Sequence, residues 1–550
     1  MAGSGAGRRF RRIDPAYLAA LATGVGAFVV YRFTLLSGLS AWDTGEAQTV
    51  PPILGTMHPT GFPAYAVLGW LVSTVLSPLG SPAFLMNLLS ALLIASAAGL
   101  TVLVNRRLGV ALLVCVAAAI GFALTPLVWR VGVAADAHAL HAVLLVAIVG
   151  LLLRWEALVG NWRESPDDPR LRARADRGIV LAAAVFGVAL ANHGLTLLLI
   201  PAVGLFVLAV EPRIVRRPRV VLAALAACFG VAALLYLELP IRAGILRAPL
   251  VYGHPETWSG FWDVVLARQF QGDLTRPLTD VAGKVGDVVH LALAQFGLLV
   301  ILVPSGFLLA VIRHPRYALL SGVAVLTTCF FASSYENAAI ERYYVGPVFF
   351  SWTWLAILGG AVVDAVMARL EPAEEDEPVE DPGATPVPGP APALRTAIGP
   401  PTRGTSVVGS LVALGVGLAL LVPTVTQLPV RWRVADVSHQ TWVHRWLDEA
   451  FTALEPNALV LSWWSYSTPL WYGQLVEHRR PDVWVVDDRT RLDEDLGSLQ
   501  DVIEANLDTR PVYLIRLSPF EIDALSERYV IEKAETPGNL YRVVGRQEPT

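Results

Sequence analysis

Apolar runs long enough to cross a bilayer recur along this chain, at 17–36, 83–104, 108–128, 138–154, 219–240, 286–312, 317–334, 345–368 and 406–427. A spanning helix needs roughly 20 apolar residues. A further stretch, 179–210, runs for about 32 residues, too long for one ordinary span, and Asn192, His193 and Gly194 lie at its middle. It is read as two short helices meeting at a turn, which brings the expected total to about eleven spans. Phe62 to Leu79 starts near Pro63, contains Gly69 and ends at Pro78, and is read as an interfacial or re-entrant helix.

After residue 430 the pattern changes. Helices are expected at 438–454, 468–478, near 494–507 and near 519–529, with strands at 458–461, 483–486, 511–515 and near 540–544. Strands alternating with helices predict a small α/β domain with a mostly parallel sheet. Ser518-Pro519-Phe520-Glu521 carries a capping-box pattern with proline at the first helical position. The fold class is therefore a polytopic α-helical membrane protein with a C-terminal α/β soluble domain. Its parts are a membrane domain over 1–370, a linker at 371–404, a last span at 405–428 and the soluble domain at 429–550. The linker holds nine prolines and seven acids, too polar to bury an ordering core, and disorder is expected there.

Composition agrees. Of 550 residues 54% are hydrophobic and 16% charged, with a net charge of −4, against roughly 25% charged in soluble domains. No basic stripe suggests nucleic acid as a partner. Cys115, Cys228 and Cys329 sit in apolar stretches and are read as small buried hydrophobes, with no metal spacing or disulfide framework. Arg8, Arg9, Arg11 and Arg12 precede the first apolar run, which is too long for a signal-peptide core and is taken as a retained helix. These and the basic clusters at 106–107, 170–177, 213–219 and 313–316 fall on one side if 62–79 does not cross. Lys and Arg stay cytoplasmic, so the N-terminus is placed inside and the C-terminal domain outside a plasma membrane.

That orientation gathers costly polar residues at one outer face. Asp43 and Glu46 are followed by His58, then by Arg130, Asp136, His138 and His141, by Asn192 and His193, by Arg242, and by Glu336, Glu341 and Arg342. Singly, each is more simply a solvated loop acid, a helix-end histidine or a snorkelling arginine. Together they predict a water-facing cavity suited to a charged, lipid-borne substrate. Carboxylates supply general bases, and arginines hold phosphate through paired hydrogen bonds.

Several motifs resemble the protein O-mannosyltransferase-like membrane family of the GT-C glycosyltransferase superfamily. They are Asp43-Thr44-Gly45-Glu46, His58-Pro59-Thr60-Gly61-Phe62-Pro63, Asn87-Leu88-Leu89-Ser90-Ala91, Asn192-His193 and Leu239-Pro240-Ile241-Arg242. The likeness continues through Tyr252-Gly253-His254-Pro255, Arg268-Gln269-Phe270 and Pro469-Leu470-Trp471-Tyr472. The chain departs at Asp136-Ala137-His138, where the family commonly has Glu-Val-Tyr. It departs again at Ser462-Trp463-Trp464-Ser465-Tyr466, which replaces a polar family loop and argues against a polar binding role there.

The resemblance implies a GT-C-like fold. It also implies transfer, with inversion, of a sugar from a polyprenyl-phosphate donor to an extracytoplasmic acceptor, which is a protein, a glycan or a lipid. Mannose is implied by the animal relative, which modifies plexin-type receptor domains. Asp43 is then the leading candidate for catalytic base, with Glu46 second or orienting His58. Arg242, or alternatively Arg342, would stabilise the leaving phosphate, with His58, Asp136, His138, Asn192, His193 and Arg268 as further donor or substrate contacts. No metal-ligand set stands out, and a divalent metal is left open. The competing readings are a transporter or lipid flippase, and a non-catalytic scaffold. The clustering of charge at one face and the lack of an internal repeat favour the enzyme.

Overall fold

A computed structural model describes residues 14–274, 280–336, 339–370, 406–516 and 518–548. The expected linker at 371–404 lies outside the described residues, apart from which the chain forms a helical bundle with a mixed β-sheet domain at its C-terminal end. The first helices are α1 (Pro15–Thr34), α2 (Trp42–Thr49), α3 (Pro63–Val75), α4 (Pro82–Arg107), α5 (Leu112–Ala123) and α6 (Pro126–Val133). They are followed by α7 (Ala137–Glu164), α8 (Pro169–Leu190), α9 (Ile200–Val210) and α10 (Pro218–Tyr236). Among the described residues eight helices are long and apolar enough to cross a membrane, or nine if the bent pair α5–α6 counts as one span.

The shortfall from eleven lies in 179–210. Its first half is only the end of α8, whose early turns carry Arg170, Arg172, Arg174, Asp176 and Arg177 and dilute its apolar character. Its second half, Gly194–Val210, is a shorter apolar helix that opens with a 3-10 segment after the Asn192-His193 turn. α3 has 13 residues, about 20 Å of helix, against a hydrocarbon core of about 30 Å.

α4 and α7 form the centre, with α1 packed along α4 and α8 along α7. Small residues on α4, including Ala91, Ala95, Ala98 and Gly99, are buried there and let the helices approach closely. The bend between α5 and α6 is 65°. A broken helix in lipid must have its freed backbone groups satisfied, and here side chains do so. The Tyr31 hydroxyl donates to the Ala123 carbonyl at 2.7 Å, and Arg431 Nη1 donates to the Leu124 carbonyl at 3.0 Å. Gln295 Oε1 accepts from the Leu127 amide at 2.9 Å. Thr125 Oγ1 donates to the Gly121 carbonyl at 2.8 Å and is itself held by Trp352 Nε1, which donates to it at 2.9 Å. The bend turns α6 away from its span and brings Arg130 to the cavity described below.

The C-terminal domain has strands β1 (Leu459–Ser462), β2 (Trp484–Asp487), β3 (Val512–Ile515), β4 (Tyr529–Lys533) and β5 (Leu540–Arg546) in the order β2-β1-β3-β5-β4. β1 pairs in parallel with β2 and β3, whereas β3–β5 and β4–β5 are antiparallel. The sheet is thus mixed, not mostly parallel. The unexpected strand is β4, whose apolar residues alternate poorly and which is largely exposed. Ser518 makes no side-chain cap bond. A capping box does form at Ser498 and Asp501.

This domain rests directly on the N-terminal part of the bundle. Thr49 Oγ1 donates to the Thr468 carbonyl at 3.3 Å, and the Ala83 amide donates to the Tyr472 hydroxyl at 3.3 Å. Leu39, Ala41 and Ala83 share a buried cluster with Trp446, Leu447 and Leu470 of the domain. A Cβ on Gly45 would fall 2.6 Å from Thr468 Oγ1, so this close contact with α2 needs glycine.

Candidate active site

A cavity of about 1850 Å³ opens where α2, the ends of α6 and α7, the residues after α8 and the C-terminal domain meet. Ordinary small-molecule sites are about 300–1,000 Å³, so this one has room for a larger substrate. Its lining is of two chemical kinds: Asp43, His58, Arg130, Asp136, His138, His193 and Arg342 share it with the apolar side chains of Leu197, Leu198, Phe229, Ala233 and Leu266.

Asp43 lies in the first turn of α2, half-buried. The preceding residue, Trp42, has φ 59°, a left-handed conformation that costs a non-glycine residue roughly 1–2 kcal/mol. Arg342 Nη2 donates to Asp43 Oδ2 at 2.7 Å, and its Nη1 reaches Asp136 Oδ2 at 3.4 Å. One guanidinium therefore bridges two carboxylates far apart in sequence. Trp464 Nε1 of the C-terminal domain approaches Asp43 Oδ1 at 3.4 Å, a long contact, and 38% of the Asp43 side chain stays exposed. Burial pushes the Asp43 carboxyl up, but the charges of His58 and Arg342 outweigh it and hold the group below its usual value.

Asp136 is fixed by its surroundings. Its Oδ1 accepts from the His138 amide and pairs with His138 Nδ1, both at 2.8 Å, and its own amide donates to Ser90 Oγ at 3.0 Å. Asn87 Oδ1 accepts from the Ala135 amide and from Gln48 Nε2, both at 2.9 Å, while its Nδ2 donates to the Leu36 carbonyl at 2.9 Å. Asn87 and Ser90 of α4 thereby tie the turn before α7 to the loop that leads into α2. The physical content of the Asn-Leu-Leu-Ser motif is this clamp.

Glu46 is buried and does not line the cavity; it holds His58 instead. Its Oε1 accepts from the His58 amide at 2.7 Å, and its Oε2 pairs with His58 Nδ1. Burial pushes the His58 imidazole down, but the Glu46 carboxylate, aided by Asp43, more than offsets this and raises it above its usual value. Of the two sequence readings of Glu46, orientation of His58 matches the geometry.

The other expected residues divide. His138 and His193 line the cavity with ring centroids 4.5 Å apart. Asn192 does not line it; its Nδ2 donates to the Ala137 carbonyl at 3.2 Å and so secures the turn. Arg242 is sealed in the protein, paired with Glu238 one helical turn before it and donating to the Gly55 carbonyl at 2.9 Å. Arg268 pairs with Asp263 at 2.6 Å on an exposed surface. Neither arginine reaches the cavity, because a nearer carboxylate takes each one.

Arg130 is not among the phosphate ligands expected from the sequence. It lines the cavity, is exposed, and has no carboxylate partner among the described residues. The readable signal was an arginine inside a strongly apolar segment. Trp463, Trp464, Asp487, Asp488 and Arg489 of the C-terminal domain also line the cavity, so the tail loop that had seemed unsuited to binding is part of the wall. Among the described residues no group of three or more His, Cys, Asp or Glu is placed to hold a metal ion.

Fold and site together define a polytopic membrane protein of GT-C-like architecture with a C-terminal mixed-sheet domain. The structure is similar to that of ArnT from Cupriavidus metallidurans, solved bound to undecaprenyl phosphate, with a TM-score of 0.56 and 14% identity over 95% of this chain and 97% of that one. It is also similar to the archaeal oligosaccharyltransferase AglB from Archaeoglobus fulgidus, solved with an inhibitory peptide and a dolichol-phosphate, at TM-score 0.50 and 17% identity over 96% of this chain and 74% of that one. At such identities the likeness is one of fold.

Within that class, residues 43–214 match the family described as protein O-mannosyl-transferase TMEM260, N-terminal domain. The protein O-mannosyl-transferase TMEM260 of Mus musculus is 27% identical over 267 residues, 47% of this chain. The match spans 35% of that mouse protein's length. The family match begins at Asp43 and takes in Glu46, His58, Asp136, His138, Asn192 and His193, while Arg242, Arg268 and Arg342 fall beyond it.

Proposed function

We propose that this protein is a membrane glycosyltransferase. It moves a sugar, by family resemblance mannose, from a polyprenyl-phosphate carrier to a hydroxyl of an extracytoplasmic acceptor. The observation that carries this reading is the two-part lining of the cavity, which holds a carboxylate fixed by an arginine together with a set of apolar side chains. A polyprenyl-phosphate sugar has the same division, with an anionic, hydroxyl-rich head on a long apolar tail. The solved ArnT with undecaprenyl phosphate and AglB with dolichol-phosphate lend support, as proteins of like fold that take such lipids.

In this mechanism the acceptor hydroxyl donates to Asp43 Oδ1 while Arg342 fixes Oδ2. The acceptor oxygen attacks the anomeric carbon from the side opposite the phosphate. A new C–O bond forms, the bond to the phosphate oxygen breaks with its electron pair, and the hydroxyl proton passes to Asp43. The sugar is transferred with inversion and the polyprenyl phosphate departs. Arg130 and His58, whose protonated form Glu46 favours, line the same cavity and would stabilise the growing charge on that oxygen, commonly the largest contribution in such chemistry. Asp136 acts through Arg342, and Glu46 through His58; both are positioning residues.

The test is incubation of the purified full-length protein with a panel of labelled polyprenyl-phosphate sugars and membrane-derived acceptors, followed by mass analysis. Label appearing on a protein Ser/Thr, a glycan or a lipid identifies the acceptor. Binding of donors without transfer to any acceptor, together with their movement across vesicle membranes, would replace the enzyme with a flippase.

A further inference from the structure

A second pocket, of about 240 Å³, lies between α7 and α8. α7 contributes Leu151, Arg154, Trp155 and Leu158, and α8 contributes Arg174, Arg177, Gly178 and Leu181. Both sets are spaced i, i+3, i+4, i+7, the spacing of a single helix face, so two matching faces meet. At their closest a Cβ on Gly178 would sit 3.1 Å from Leu158 Cδ1; glycine lets the helices close on the pocket floor. Arg154 follows His138 on α7 by sixteen positions, about 24 Å along the axis. The pocket is therefore at the membrane face opposite the candidate active site.

Its charge is one-sided. Three arginines line it and no acid does. The neighbouring acids are committed elsewhere: Asp176 to Arg217 at 2.5 Å and Glu156 to Arg316 at 2.9 Å. Among the described residues Arg154, Arg174 and Arg177 have no carboxylate partner. Three exposed arginines around a pocket that apolar side chains also line, at a membrane face, match a lipid phosphate, with acyl chains lying against the leucines.

We propose that this pocket binds the phosphate headgroup of an anionic phospholipid in the leaflet remote from the active site. The site is independent of the glycosyltransferase reading and stands or falls without it. It is tested on the delipidated full-length protein in detergent, by titrating phosphatidylglycerol, phosphatidylcholine or inorganic phosphate and recording bound lipid by native mass spectrometry. We expect preferential binding of phosphatidylglycerol, weakened about 100-fold in the triple variant R154Q/R174Q/R177Q. Should the triple variant not fold, R174Q alone is expected to weaken it about fivefold. Equal binding of the two lipids, or unchanged affinity in the glutamine variants, would overturn the proposal. So would full displacement of the lipid by millimolar inorganic phosphate, which would make the pocket a site for free anions.

Discussion

Two arginine–carboxylate assemblies sit near the same end of the bundle, one half-buried and one buried, and they differ in what else they meet. Arg342 spans Asp43 and Asp136, and all three line the cavity. Arg242 is closed against Glu238 and the Gly55 carbonyl, away from the cavity. Both look alike in sequence, as an arginine near a helix end at the same predicted depth. A charge pair that lines a cavity can exchange partners with a substrate; a sealed pair holds two chain segments together.

Variants should separate the two. The largest effect is expected for Arg342→Gln, which leaves Asp43 and Asp136 facing each other without their shared cation. Turnover should fall by at least the roughly 10²–10⁴ that general-base assistance supplies, since the base loses its anchor. Arg242→Gln should act on stability instead. Breaking a buried pair typically costs about 3–5 kcal/mol, so the thermal midpoint should drop while turnover per folded molecule stays close to wild type. Loss of turnover in a stable Arg242→Gln protein would put Arg242 back in the site.

Smaller effects probe the other cationic side chains of the cavity. Arg130→Ala should weaken donor binding about tenfold or more, as charged hydrogen bonds contribute roughly 1.5–3 kcal/mol, and should leave binding of the dephosphorylated prenol unchanged. Titration of donor by fluorescence checks both. Glu46→Gln should produce a shift and not a loss. Glu46 raises the His58 imidazole, so the cation is held to higher pH than a free imidazole would keep it and is lost as pH rises through the raised value. Removing the carboxylate lowers that value, and the alkaline limb of the pH–rate profile should move to lower pH. An unmoved limb would detach His58 from donor binding.

Much of the site was readable because lipid makes polar residues expensive. Asp43, His58, Asp136, His138 and His193 stood out against apolar neighbours, and all five line the cavity. What misled was pairing. Glu238 stands four residues before Arg242 and Asp263 five before Arg268, and these local partners withdraw both arginines. The family-like Leu-Pro-Ile-Arg motif drew attention to the residue but not to its neighbour. Arg130 had the opposite history, because only the bend between α5 and α6 turns it inward.

In the fold, long apolar helices were legible from length. The segment 179–210 was not, since arginines at the start of α8 and the turn at Asn192 shorten both halves. In the C-terminal domain the buried strands β1, β2 and β3 were visible as apolar runs. β4 lacks that signature, and only its antiparallel pairing with β5 defines it.

The most direct test is Asp43→Asn, assayed for single-turnover sugar transfer and for thermal midpoint on the same purified sample. Asparagine keeps the size and hydrogen-bonding capacity of the side chain and removes its basicity. Transfer should fall by about 10²–10⁴, with donor binding and the thermal midpoint close to wild type. A variant that transfers sugar at the wild-type rate would contradict the assignment of Asp43 as the base, whatever its stability.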